Sequence, residues 1–245
     1  MVAAKQQIIQ QLQKDILRLQ GIRTFDNGSR QTFGLGDVEQ AFPGGVIPTG
    51  TVHEFLCFEA EHKAATGGFI SGLLSTLMHN NGVCIWVSSS RMLFPMGLSI
   101  FNIAPHHVIF IDVKREKDIL WATEEALKCD GLAAVVTELK EMSFTQSRRL
   151  QLAVEQSKVT GFILRNDPLK LTTSACAARW QITSLPSELE GDMPGVGFPR
   201  WNVELLKVRN GNPGAWQVEW RGGKFTAIAQ QATSEEIHTY TRKAG

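Results

Sequence analysis

The feature that most constrains this chain is an alternation between short, wholly apolar runs and longer amphipathic stretches. Val83-Cys84-Ile85-Trp86-Val87, Val108 to Ile111, Leu132 to Val136 and Gly161 to Leu164 are apolar without a polar face. Between them lie a short helix-like piece from Phe94 to Asn102 and two helical patterns. The first runs from Lys114 to Lys128, with Ile119, Leu120, Ala122, Ala126 and Leu127; the second runs from Phe144 to Val159, with Leu150, Leu152, Val154 and Val159. Strands without a polar face must be covered on both sides. The pattern therefore predicts an α/β domain: a mostly parallel sheet with helices on both faces.

One more unit opens the series. Thr51 to Leu56 reads as a strand, and Phe69, Leu73, Leu74 and Leu77 follow at helical spacing. Past Arg165 the rhythm changes. Trp180 to Thr183 reads as a strand, and Asp192 to Pro199 is a Gly/Pro-rich loop. Asn202 to Val208 and Trp216 to Trp220 flank Arg209-Asn210-Gly211-Asn212-Pro213-Gly214, which predicts an antiparallel hairpin on the sheet edge. At the other end, Ala3 to Gln20 carries Ile8, Ile9, Leu12, Ile16 and Leu19 as a helical stripe that stops at Gly21. Such a helix either folds back on its own domain or reaches a neighbouring subunit or partner. The organisation read from these signals is an N-terminal helix and connector over 1–32, a core domain over 33–221 and a polar tail over 222–245.

Strand, loop, helix over 51–77 is the frame that carries phosphate-binding loops, so its loop decides whether nucleotide chemistry is present. A working loop reads G-x-x-x-x-G-K-[ST], with glycines that let backbone N–H groups converge on phosphate and a hydroxyl for Mg²⁺. Here the residues are Cys57-Phe58-Glu59-Ala60-Glu61-His62-Lys63-Ala64. Lys63 is the sole remnant. Cys57 and His62 replace glycines, and holding them in a left-handed conformation would cost about 1–2 kcal/mol each. Ala64 offers no metal ligand, and Glu59 and Glu61 repel phosphate. The strand Leu132 to Val136 leads into Thr137 where a metal-positioning aspartate is needed, and Glu138 would serve only after a one-residue slip that turns it to the other face. Val83 to Val87 leads into Ser88-Ser89-Ser90 instead of an acidic residue. Three separate losses argue against ATP hydrolysis, and neither an enzyme nor a bound cofactor is expected.

The arrangement F-P-G-G-V-I-P-T-G-T-V-H-E-F, then the altered loop, I-L-W-A-T-E-E-A-L-K, R-R-L-Q-L-A-V-E-Q and the hairpin V-E-L-L-K-V-R-N-G-N-P-G-A-W-Q-V-E-W resembles the ImuA family. The likeness covers most of residues 33–221 and is most specific around Trp121, Arg148-Arg149 and the Trp216 hairpin. It implies a RecA-like core without a working ATP site. It also implies an accessory role in SOS-induced translesion DNA synthesis. The partners it implies are the polymerase-like protein ImuB, RecA and an error-prone alpha-type polymerase. A SulA-like inhibitor of cell division and a divergent ATP-binding enzyme relying on Lys63 are the competing readings. Self-association is left open.

Remaining candidates divide between interaction and plain structure. Lys207 and Arg209 match a basic pair that, in RecA-like ATPases, reaches the neighbouring subunit's phosphate, which makes them candidate partner contacts. Trp216, Val218 and Trp220 beside Lys207, Arg209, Arg221 and Lys224 would suit weak contact with single-stranded DNA, although Trp-Val-Trp alternation fits a core-packed strand better. A net charge of +1 does not indicate a general nucleic-acid binder. Adjacent His106 and His107 would point apart on an extended segment, and His53 and His62 lack ligand partners at metal spacing, so no metal site is expected. Cys57, Cys84, Cys129 and Cys176 are too scattered for a zinc cluster or disulfide scaffold. No signal peptide or membrane-length apolar run is apparent, which predicts a cytoplasmic protein without membrane contact.

Overall fold

The structure is a computed structural model, described here over residues 32–79, 81–90, 93–188 and 195–228. The N-terminal helix expected at 3–20 and the chain past 228 lie outside the described residues. The described chain builds one nine-stranded sheet in the order β3-β2-β4-β5-β1-β6-β7-β8-β9. Its strands are β1 (Val52–Cys57), β2 (Val83–Ser88), β3 (Val108–Asp112), β4 (Leu132–Leu139), β5 (Thr160–Asn166), β6 (Ala178–Leu185), β7 (Arg200–Val208), β8 (Gly214–Arg221) and β9 (Lys224–Ala227). Pairing is parallel from β3 through β6 and antiparallel from β6 through β9. The parallel half is the one whose strands read as continuous apolar runs.

Three helices supply the cover those runs demand. On one face lies α1 (Ala60–Leu77), whose Phe69, Ile70, Leu73 and Leu74 are buried against Phe55, Phe162 and Trp180. On the other lie α2 (Glu116–Leu127) and α3 (Phe144–Ser157), burying Ile119, Leu127, Leu150 and Val154 against Val52, Val135 and Ile163. The start of α3 is fixed by a capping box. Ser143 Oγ accepts from the Gln146 N–H at 3.3 Å, and Gln146 Oε1 accepts from the Ser143 N–H at 2.7 Å. Along α3, Gln151 accepts from Thr51 Oγ1 and the Val52 N–H, which pins the helix to the head of β1.

Four expectations require correction. The hairpin β7–β8 is not at the sheet edge, because β9 pairs beyond it. The polar tail expected from 222 instead begins with that ninth strand, and Phe225 is buried in the core. Strand β4 continues to Leu139 rather than stopping at Val136, because Thr137 and Glu138 find buried partners in Thr123 and Trp86. His106 and His107 sit in a 3-10 turn, with ring centroids 4.4 Å apart, rather than on an extended segment. The preferred reading of the Trp hairpin agrees with the structure: Val218 and Trp220 are buried, and Trp216 packs half-buried on the same core.

The antiparallel strands wrap α1. A Cβ on Gly72 would lie 2.4 Å from the Phe225 ring, so the helix tolerates a glycine there because β9 presses on it. His53, on the α1 face of β1, is buried between Phe162 and Trp180. Its Nε2 bonds the Pro48 carbonyl at 2.8 Å, and Nδ1 accepts from the Trp180 indole at 3.4 Å. Burial holds its pKa down at about 4.

Two outcomes follow from this packing. Gly72→Val must displace Phe225 and is expected to destabilise the fold by about 1–3 kcal/mol, read as a lowered urea midpoint. Because the unfolded imidazole takes up a proton below about pH 6.5 and the folded one does not until about 4, His53 should cost the fold roughly 3 kcal/mol as pH falls through that window. Urea titrations of wild type and His53→Asn at pH 7 and pH 4.5 check this: the variant should lose less stability than wild type.

Candidate functional site

In parallel sheets, ligand sites form at the carboxyl ends of the strands. In this chain those ends gather the residues of interest from β1, β4 and β5. The β1–α1 junction differs in form from the loop expected at 57–64. Phe58 and Glu59 alone separate β1 from α1, and the helix begins at Ala60. The stretch expected as a loop through Ala64 is thus mostly helix, and the Lys63 N–H is spent on the Glu59 carbonyl. Without glycines the backbone cannot curl into a phosphate cradle, so it winds into an added helical turn. Cys57 and His62 consequently escape left-handed strain; neither has a positive φ.

What remains at this junction is a half-buried polar set turned inward. Lys63 stands half-buried in the first turn of α1. The Cys57 thiol donates to Thr66 Oγ1 at 3.4 Å, and burial pushes its pKa up to about 11. Glu138 points to the α1 side of the sheet without any slip of register, contrary to expectation, because β4 is longer than it reads. Its carboxylate accepts from the Trp86 indole at 2.8 Å and from the Asn166 amide at 3.4 Å. Burial raises its pKa above the usual carboxylate range, opposed by the Trp86 and Asn166 bonds and by the nearby Lys63 ammonium. The carboxylate is thereby committed to an indole and an amide. Ser88, at the end of β2, is buried as well.

A second constellation lies on the opposite face of the same strand, and sequence reading missed it. Glu54 of β1 is fully buried and binds two arginines. Arg165 Nη1 of β5 donates to its Oε1 at 3.1 Å, and Arg179 Nε of β6 donates to its Oε2 at 2.8 Å. Ser174 Oγ adds a third bond at 2.7 Å. Arg165 also reaches Glu141 at 2.9 Å and the Lys170 carbonyl at 3.1 Å. Burying such charges costs several kcal/mol per ion unless each is paired and hydrogen-bonded. Here the pairing shapes a loop. Glu141 accepts from the Leu169 N–H at 2.7 Å, and Arg179 donates to the Thr172 carbonyl at 2.5 Å. Residues 167–177 are therefore clamped to the sheet by side chains from β1, β5, β6 and the end of β4. The sequence signal was a lone glutamate and a lone arginine inside strands otherwise apolar.

The basic pair expected to meet a partner bears on the same loop. Lys207 Nζ donates to the Ser174 carbonyl at 3.1 Å, and Arg209 Nη2 donates to the Ala175 carbonyl at 2.8 Å. Lys207, exposed on β7, and the half-buried Arg209, one residue past its end, both brace the loop. Of the Arg148-Arg149 pair, Arg149 binds Glu124 of α2 at 2.5 Å, whereas Arg148 is exposed. Cys57, Cys84 and Cys176 are buried free thiols and Cys129 is exposed. Among the described residues no group of three His, Cys, Asp or Glu is placed to hold a metal ion, and no helix is long and apolar enough to cross a membrane.

No protein-family model matches the chain. Protein ImuA from two strains of Caulobacter vibrioides is 34% identical over 200 residues, covering 77% of this chain and 82% of the relative. Among solved structures, the RadB recombinase superposes with a TM-score of 0.54 at 14% identity, covering 82% of this chain and 99% of that one. At that identity the likeness concerns the fold alone, and the core is RecA-like.

The clamp generates a specific expectation. Arg165→Met leaves Glu54 buried with a lost partner and should cost about 3–5 kcal/mol of stability by urea denaturation. Amide exchange at 169–175 should accelerate in the variant more than at β2 and β3; equal acceleration everywhere would contradict the clamp.

Proposed function

The chain belongs to the ImuA family, and on that premise we propose that it is a non-enzymatic accessory of SOS-induced translesion DNA synthesis in the cytoplasm. In this reading the RecA-like core is a docking platform for an ImuB-type polymerase-like protein and for RecA, working beside an error-prone alpha-type polymerase. The observation that carries the reading is the β1–α1 junction. A helix starting at Ala60 occupies the place where a glycine loop would cradle a triphosphate, and Lys63 sits within it without converging backbone donors. Glu138, which in an ATPase would order a metal shell, is held by Trp86 and Asn166. A backbone cradle for phosphate and free Mg²⁺ ligands are what phosphoryl transfer calls for, and the helical backbone from Ala60 and the engaged Glu138 carboxylate argue against both. The surfaces left for function are those that meet other macromolecules. Lys207 at the end of β7 and Arg209 just past it, both bonded to the 174–175 backbone, are the side chains we assign to RecA contact.

Calorimetry with ATP and Mg²⁺ is expected to show no binding tighter than about 1 mM, a level at which ΔG is only about −4 kcal/mol. Pull-downs with purified ImuB should succeed equally with and without ATP, and Lys63→Ala should leave them unchanged. Lys207→Ala with Arg209→Ala should weaken RecA capture by about tenfold while sparing ImuB. Micromolar ATP binding lost in Lys63→Ala would overturn the non-enzymatic reading.

A further inference from the structure

The loop over Glu54 carries an apolar tip that its own fold leaves in water. Leu169 is 78% exposed and Leu171 is 55% exposed, more than any other leucine of the described chain. Pro168 and Ser174 are buried on either side, so residues 169–173 form an exposed arch on fixed feet. The arch itself is tied down. Glu141 accepts from the Leu169 N–H, Arg165 donates to the Lys170 carbonyl and Arg179 donates to the Thr172 carbonyl. A segment held this way has little conformational entropy left to lose on docking, so its leucines are presented to a partner on a prepared backbone.

The charges around the arch were counted pair by pair. Asp167 meets Lys140 at 3.9 Å, Glu141 meets Arg165 at 2.9 Å, and Glu54 is shared between Arg165 and Arg179. Glu204, on the strand that carries Lys207, accepts from Asn202 at 2.9 Å. Lys170, Lys207 and Arg209 make no ion pair among the described residues. Lys207 and Arg209 each spend one donor on the loop, at the Ser174 and Ala175 carbonyls. An ammonium has three N–H donors and a guanidinium five, so both keep donors for a second acceptor. The uncompensated charge left on this face is therefore positive.

We propose that Leu169 and Leu171 are the apolar anchors of the contact with RecA to which Lys207 and Arg209 were assigned, so that one continuous face meets that partner. The inference rests on the RecA reading given above and adds the apolar half of the site. Continuity along the loop carries it. Five residues separate Leu169 from Ser174, at most about 18 Å of chain. An ordinary protein interface buries about 800 Å² on each partner, a patch wide enough to take in both ends of that span. Charged groups alone set orientation and approach, whereas buried anchors supply most of the affinity. The surface this face calls for is an apolar pocket for two leucines, with carboxylates on the side that meets Lys207 and Arg209.

RecA capture by the full-length protein is the test, with ImuB capture as the control. Leu169→Ser with Leu171→Ser should weaken RecA capture about tenfold, at an unchanged melting temperature and with ImuB capture intact. Salt separates the two halves of the face. Raising NaCl from about 50 to 300 mM should weaken wild-type binding, yet the ratio between wild type and the leucine variant should persist, because the leucines carry no charge. If Lys207→Ala with Arg209→Ala loses RecA while the leucine variant binds as wild type does, the inference falls and the RecA reading stands. If neither pair of substitutions weakens capture, or wild type captures no RecA, both fall. A leucine variant that loses ImuB and keeps RecA would give the arch to the other partner and overturn the proposal.

Discussion

The fold turns on the carboxylate of Glu54, fully buried at the centre of the sheet. Strand β1 pairs with β5 on one side and β6 on the other, and Glu54 receives an arginine from each neighbour. An apolar residue there would pack well and avoid the desolvation cost. What the ion triad adds is geometric: it ties the parallel half of the sheet to the strand that begins the antiparallel half. It also fixes the segment connecting them, through bonds to Ser174, Lys170 and Thr172. Hydrophobic contact has no comparable directionality and would allow that segment several positions.

The two faces of β1 thus had different fates. On the α1 side, a helix begins two residues after the strand, and the carboxylate of Glu138 accepts from an indole. On the other side, polar groups are abundant but spent on holding a loop still. On both faces of the RecA-like sheet, buried polar side chains are bonded to one another or to the backbone.

Much of the architecture could be read from local pattern. The apolar runs at 83–87, 108–111, 132–136 and 161–164 fall within β2, β3, β4 and β5, and the helical periods fall on α2 and α3, because burial on both faces leaves a plain compositional mark. The pattern failed where a polar residue owes its place to a distant partner. Thr137 and Glu138 look like the end of a strand until Thr123 and Trp86 are known to meet them. The last strand escaped notice because Phe225 is its single buried side chain. The Glu54 triad spans positions 54, 165 and 179, a separation at which no local period exists. The missing glycines at 57–64 were legible in the sequence, but that most of this stretch is helix from Ala60 was not.

The lid that β9 lays over α1 has a bearing on how the molecule is made. The core on that face joins Phe33 near the start of the described chain to Phe225 near its end, with Phe69 and Trp201 between them. A ribosome that has delivered the whole parallel half has therefore still left one side of α1 bare. During that interval the aromatic surface around Gly72 is open to chaperones or to misassociation, and contacts of such long sequence separation close slowly. Nascent chains of this protein thus have a window of vulnerability that ends only when the final strand emerges.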